Sequence, residues 1–188
     1  MSKKIYLFSL VLLALTFTAC SETEEAGRYD NWQARSEAFI DSIANVYNSA
    51  ENKALPDNDP EKLHAYKDPT NNQMLYVKKI SKDENSSQKK PLYTSTVSAY
   101  YRMTYFNGDV QQNFNGIKPS NYDSPSKFSL DGVITGWSYT LMHMTEGELW
   151  TLYIPYQSGY GSGTSEDGSL QPYSALVYNV KLDKIVEL

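Results

Sequence analysis

Cysteine is almost absent from this chain: its 188 residues hold one, Cys20, so no disulfide can join two points of it. Histidine is nearly as scarce. With only His64 and His143, and no cluster of thiols, the ligand sets of structural zinc sites cannot be assembled, and no metal site is expected. Positive charge is in deficit, with 17 Lys and Arg against 22 Asp and Glu and a net charge of −5. That balance argues against a nucleic-acid or anionic-lipid binding protein, which needs a basic footprint. Long apolar runs are missing as well. The longest, Ile5 to Phe17, falls short of the ~20 residues of a membrane-spanning helix.

What is present begins with that run. Lys3 and Lys4 precede it and Thr18-Ala19-Cys20 end it. A basic start, a short apolar stretch and small residues before a cut read as a secretory signal peptide over residues 1–19. Cys20 falls where processing would leave it as the first mature residue. The junction resembles the bacterial lipobox, with Phe17 where Leu is usual. That resemblance implies a lipidated Cys20 and a protein anchored to the bacterial cell envelope without spanning a membrane. Ser21 after the Cys favours the outer membrane, on its periplasmic or surface face. Residues 20–29, with Glu22, Glu24 and Glu25, read as an acidic tether.

Residues 30–72 read as a helical N-terminal extension. Trp32, Phe39, Ile40, Ile43, Val46 and Tyr47 recur at helical spacing, Asp30 or Asn31 can cap the start, and Pro56 stops it. Such a helix packs on the following domain or pairs with a second copy; oligomeric state stays open. Asp59-Pro60-Glu61 has the form of a cap and first turn of a short second helix. From Met74 the texture turns to strands: Met74 to Ile80, Leu92 to Phe106 up to the Asn107-Gly108 turn, and a return over 109–116. Phe128 to Ile134 leads into a short helix with Trp137, Leu141 and Met144 on one face, stopped by Gly147. His143 lies mid-helix at the surface, without a catalytic role. Glu148 to Ile154 alternates with Trp150, Leu152 and Ile154 inward, Trp150 being a core residue. After a Gly-rich loop, Ala175 to Ile185 alternates with Leu176, Tyr178, Val180 and Leu182 inward. Five or six largely antiparallel strands on one short helix make residues 73–188 an α+β domain. The 16 tyrosines suit strand surfaces and an aromatic-lined pocket.

Several of these pieces fall in a familiar order: Tyr101 before Gly108, Val133-Ile134-x-Gly136-Trp137, Met144-x-x-Gly147-Glu148, Ile154-Pro155, Tyr160-Gly161, and Pro172-x-x-x-Leu176-x-Tyr178-x-Val180-x-Leu182. Together they resemble the FKBP family of peptidyl-prolyl cis-trans isomerases over roughly residues 74–188. The resemblance implies a strongly bent antiparallel sheet cupping one short helix, with a ligand pocket between them. It implies Trp137 as the indole floor under a proline ring, the Ile134 N–H and the Tyr160 hydroxyl as donors to the bound peptide, and Val133 on the rim. Tyr101 and Tyr178 match wall aromatics, the second usually Phe, and Leu170 matches a contact from the long loop. A Phe-Asp pair expected after the turn glycine is either Gln111-Gln112 by direct spacing or, with a small insertion, Phe114-Asn115; the second fits the following length better, with an amide in place of the acid. A wall Phe is Ser126 here and a rim Glu is Gly132.

The implied activity is rotation about X-Pro bonds of proline-containing polypeptides, envelope or exported proteins, without a covalent step or cofactor. Two further readings stand beside it: an FKBP-like lipoprotein with little or no turnover acting as a proline-segment-binding chaperone or scaffold, and a structural surface lipoprotein that keeps only the fold. The anchor has its own test. Cys20→Ser is expected to abolish fatty-acid incorporation in cells fed labelled palmitate and to remove the protein from the membrane fraction; a variant that still partitions with membranes refutes lipidation.

Overall fold

The structure is a computed structural model, and it describes residues 27–112, 124–163 and 170–187. The chain divides into two units, residues 1–32 and 33–188. In the described part of the first, Tyr29 stands edge-on to Trp32 at 5.1 Å and the Arg28 guanidinium lies over the Tyr29 ring. The signal peptide, Cys20, Phe114 and Asn115 lie outside the described residues.

The second unit is built on one antiparallel sheet. Its strands are β1 (Leu63–Lys67), β2 (Met74–Lys82), β3 (Thr96–Tyr105), β4 (Val110–Gln112), β5 (Ser126–Ser129), β6 (Glu148–Ile154) and β7 (Leu176–Glu187). The order across the sheet is β1-β2-β6-β7-β3-β4, with β5 sharing the outer edge of β3. Alternation in the sequence appears directly as register. Trp150, Leu152 and Ile154 stand opposite Val180, Tyr178 and Leu176, and all six are buried on one face. Met103 and Tyr105 of β3 extend that face across Tyr178 and Leu176. Opposite Thr96/Val97 and Ser98/Ala99 of β3, the pairing skips Val186 and Asp183 of β7, two bulges that bend β7.

Each face of the sheet carries a helix. The short α3 (Thr135–Leu141) lies on the face just described. The long α1 (Trp32–Asn48) covers the other. There Phe39 packs on Tyr153 and Phe106, and Tyr47 on Tyr76, with ring centroids 5.6–6.2 Å apart. Ser36, fully buried on α1, accepts the Ala175 N–H at 2.7 Å, so the helix is tied to the chain entering β7.

The extension departs from the sequence reading in three ways. The single helix expected up to Ala54 breaks at Ser49, which turns to an extended conformation and caps α2 (Ala50–Ala54) by accepting the Asn52 N–H. A local side-chain bond outcompetes helix continuation there. No helix follows Asp59: its carboxylate does accept the Glu61 N–H at 2.8 Å, but one turn later the chain enters β1. Leu63 is taken instead by the buried Asn52, whose amide accepts its N–H at 2.7 Å and donates to its carbonyl at 3.1 Å, a side-chain imitation of strand pairing on the free edge of β1. β1 therefore adds a strand to the sheet within a stretch expected to be helical.

Helix α3 also ends early. His143 and Met144 leave through i→i+3 bonds to Thr140 and Leu141, so His143 sits in the turn after the helix, not within it. It is exposed on one side and its ring stacks on Tyr66 at 3.9 Å. Trp137, Leu141 and Met144 are buried together as their spacing requires.

The helix rests on β6 through Gly136. A Cβ there would meet Ile154 Cγ2 at 2.4 Å and the Ser158 carbonyl oxygen at 2.9 Å, closer than any side chain can approach. Gly136→Ala is therefore expected to destabilise the fold by about 1–3 kcal/mol, the range for overpacking a filled core. A urea midpoint that falls with unchanged slope checks it, and an unchanged midpoint contradicts the packing.

Candidate functional site

The site starts at the entry to α3. Val133 is extended, and Ile134 is the N-terminal cap residue, with its carbonyl accepting the N–H groups of Trp137 and Ser138 at 2.9 and 3.1 Å. Among the described residues the Ile134 N–H has no hydrogen-bond acceptor. That follows from its place, since the first N–H groups of a helix have no intrahelical partner. One turn on, Trp137 faces the sheet.

Three rings stand at steep angles to the indole. Tyr101 of β3 lies at 5.3 Å and 89°, Phe128 of β5 at 5.1 Å and 72°, and Tyr178 of β7 at 5.3 Å and 72°. Tyr101 also meets Phe128 edge-on at 5.6 Å. Such near-perpendicular pairs are the favoured aromatic geometry, each contributing about 0.5–1.5 kcal/mol beyond burial. The indole is 3% exposed, and its buried Nε1–H finds no acceptor among the described residues. A lone buried donor costs roughly 1–3 kcal/mol, and the core indole of Trp150 carries the same cost.

Tyr160 enters from the loop after β6. A 3-10 turn (Tyr156–Ser158) begins the loop, and the Gly161 N–H closes back on the Tyr156 carbonyl at 2.8 Å. From there the Tyr160 phenol comes close enough to Tyr178 and Tyr101 to act on both. Burial, then the neighbouring phenols, push Tyr178 well above the ordinary tyrosine value. Burial, then Tyr160, also raise Tyr101.

A carboxylate lies beside this cluster. Asp68, in the turn between β1 and β2, is fully buried. Its Oδ1 accepts the Thr70 N–H and hydroxyl at 2.9 and 2.6 Å, and its Oδ2 accepts the hydroxyls of Thr135 and Ser158 at 2.6 and 2.7 Å. Burial alone would raise this carboxyl; the bonds from Thr135, Thr70 and Ser158 outweigh it and hold it below the usual aspartate value.

Of the residues singled out from the sequence, the structure brings Tyr101, Trp137, Tyr160 and Tyr178 together, with Val133 and Ile134 leading into Trp137. Leu170 is buried beside Gln171, whose N–H donates to the Tyr105 hydroxyl at 2.6 Å. Phe114 and Asn115 lie outside the described residues, as does their part in any wall. Sequence reasoning missed Phe128. Ser126 is exposed, and the strand turns the residue two positions later onto the indole. The alternation of β5 was the available signal, one that a four-residue strand carries weakly. Asp68, Thr135 and Ser158 were missed because nothing local marks residues that meet across 67 and 90 positions.

Residues 87–183, just over half of the chain, match the family model of the FKBP-type peptidyl-prolyl cis-trans isomerases. The chain is 43% identical over 61 residues to the macrophage infectivity potentiator of Trypanosoma cruzi, covering 32% of this chain and 31% of that one. To the peptidyl-prolyl cis-trans isomerase Mip of Coxiella burnetii it is 34% identical over 84 residues, 40% of this chain and 36% of the relative. To the outer membrane protein MIP of Legionella longbeachae it is 29% identical over 93 residues, 50% and 37% of the two chains. The chain thus spans about a third of the length of the curated relatives it matches. Its fold is similar to a crystal structure of a peptidyl-prolyl cis-trans isomerase from Pseudomonas syringae, with a TM-score of 0.51 at 23% identity over 80% of this chain and 95% of that one. The three FKBP domains of wheat FKBP73 give 0.50 at 24% identity, over 60% of this chain and 46% of theirs.

The buried phenols give the site a pH signature. Tyr178 keeps its proton in the folded state to a higher pH than in the unfolded chain, so the stability it contributes is whole below its unfolded value and is lost as pH rises above it. Unfolding free energy is expected to fall from about pH 10 upward, the unfolded tyrosine value. Tyr178→Phe is expected to flatten that fall. Urea denaturation at pH 8 to 11 checks both, and equal slopes for the two proteins contradict the burial.

Proposed function

The chain belongs to the FKBP-type peptidyl-prolyl cis-trans isomerase family, and from that premise we propose that it catalyses cis-trans rotation about X-Pro bonds in proline-containing polypeptides, envelope or exported proteins among them. The observation that carries the reading is the ring cluster: one indole, three rings steeply inclined to it, and the Tyr160 hydroxyl at its edge. X-Pro rotation is slow enough to limit folding, which gives such an enzyme a task in a compartment where proteins arrive unfolded.

The barrier to be lowered is about 18–20 kcal/mol, because the amide loses its resonance as it twists. No bond is made or broken, so the groups needed are ones that prefer the twisted form. An apolar surface does so, since the twisted amide has less charge separation than the planar one. In this reading Trp137 carries the prolyl ring, with Tyr101, Phe128 and Tyr178 as walls and Val133 at the rim. The unpartnered Ile134 N–H and the Tyr160 hydroxyl donate to carbonyls of the flanking peptide, holding it in the geometry the twist requires. The family resemblance assigns Leu170, Phe114 and Asn115 to substrate binding as well. Asn115 is the weakest of these, since an amide cannot accept as the usual carboxylate does.

The proposal extends to place. A lipidated Cys20 would hold the domain at the outer membrane through the tether. Support comes from the order Lys3-Lys4, apolar stretch, Thr18-Ala19-Cys20, and from a relative described as an outer membrane protein.

The decisive assay is refolding of a protein limited by prolyl isomerisation. The wild type is expected to accelerate it at substoichiometric amounts. Tyr160→Phe is expected to lower kcat/KM by roughly 2- to 12-fold, the equivalent of one neutral hydrogen bond at about 0.5–1.5 kcal/mol. If the wild type gives no acceleration, the isomerase reading fails, and binding of proline-containing segments without turnover takes its place.

A further inference from the structure

We propose that Asp68 is a positioning residue for the isomerase site, one carboxylate that fixes both segments bearing the peptide donors from outside the region matching the family. The proposal rests on the X-Pro isomerase reading. Thr135, the first residue of α3, directly follows Ile134 and precedes Trp137 by two. Ser158, the last residue of the 3-10 turn, precedes Tyr160 by two. Asp68 Oδ2 accepts both hydroxyls, at 2.6 and 2.7 Å, so a single oxygen joins the segment of Ile134 and Trp137 to the segment of Tyr160. Asp68 lies in the β1–β2 turn, whereas the match to the family begins at residue 87.

The carboxylate is itself held rigidly. Its N–H donates to the Gln73 carbonyl and its carbonyl accepts the Asn72 N–H, both at 2.9 Å. Asn72 closes the turn with a left-handed φ of 62°. Thr70 saturates Oδ1. From the same turn the Asn71 side-chain amide donates to the Gln157 carbonyl at 2.9 Å and the Ser158 hydroxyl at 3.0 Å, a second tie to the Tyr160 loop.

Three considerations make this more than a structural knot. Bonds to an ionised acceptor are roughly twice as strong as neutral ones, so the brace resists displacement of either segment. A buried carboxylate tolerates no missing partner, because its desolvation is offset only while all its donors are in place. The two donors to the peptide must also hold one geometry together, since a shift of about 1 Å can lower a rate about a hundredfold. A turn bonded to both segments at once sets their separation.

Asp68→Asn keeps the shape while removing the charge and placing an amide NH2 where one carboxylate oxygen accepts two donors. Amide exchange in segments 133–137 and 156–161 is expected to quicken about tenfold or more, with β7 protection unchanged, since the fold is retained and only the brace is lost. In the refolding assay kcat is expected to fall about tenfold with KM within about twofold, the mark of lost transition-state alignment. Thr135→Ser, which keeps the donor, should match the wild type in both measurements, and Thr135→Val should reproduce the defect. Full activity in Asp68→Asn, or protection unchanged in either segment, overturns the proposal, as does Thr135→Val with wild-type kcat. If Asp68→Asn does not fold, Thr135→Val and Ser158→Ala decide, each removing one arm. A wild type without isomerase activity sinks the functional reading, and the exchange measurement then judges the brace alone.

Discussion

The approach of α3 to the end of β6 sets the height of everything else in the site. Gly136 has no side chain to hold the helix away, so the helix start rests on Ile154 and on the backbone of the loop beyond it. At that depth Trp137 falls between β3, β5 and β7 and not above them, and the three rings meet it near the perpendicular. The same depth leaves the Ile134 N–H at the helix start, where the geometry of a helix supplies no partner. A helix raised by one methyl group would disturb the indole, the three rings around it and the Ile134 N–H together.

The N-terminal extension belongs to the same construction. Three buried polar residues attach it: Ser36 to the chain entering β7, Asn52 to the free edge of β1, and Asp68 to α3 and the Tyr160 loop. Each is buried and hydrogen-bonded, so a change in the arrangement of its neighbours leaves a buried polar group without its partner. Apolar packing of Phe39 and Tyr47 on the sheet would hold α1 against that face in more than one register. The Ser36 bond selects one of them. Area provides most of the attraction, and these few directional bonds provide the alignment.

What could be read from the sequence follows the range of the forces involved. Alternation in β6 and β7 and the helical spacing of Trp137, Leu141 and Met144 are local, and the structure buries those residues on the expected faces. So is the turn at Gly147, whose φ of 79° is the left-handed region glycine enters freely. The α+β class and the family likeness come from the same local marks. The break at Ser49 was legible in principle, since Ser is a strong cap and the apolar spacing ends at Tyr47, but Pro56 is the more conspicuous stop. β1 was not legible: Leu63 to Lys67 becomes a strand because β2 offers an edge and Asn52 occupies the other side, and both lie elsewhere in the chain. Asp68 reads locally as a turn residue, which it also is. Its second task is set by hydroxyls that no spacing rule connects to it.

The charge states of the groups suit the chemistry proposed for them. Rotation about an amide transfers no proton, so a site for it gains nothing from a group that titrates near neutrality. The phenols of Tyr101 and Tyr178 are shifted upward by burial, so they stay neutral. Asp68 is shifted the other way and stays ionised. The two directions come from one environment: where a buried phenol faces rings, the neutral form is favoured, and where a carboxylate faces four donors, the charged form is. A dry aromatic surface beside a permanently charged brace therefore needs no compensating ion at the ring cluster. It also places the Asp68 charge among the hydroxyls of Thr70, Thr135 and Ser158 and not among the rings.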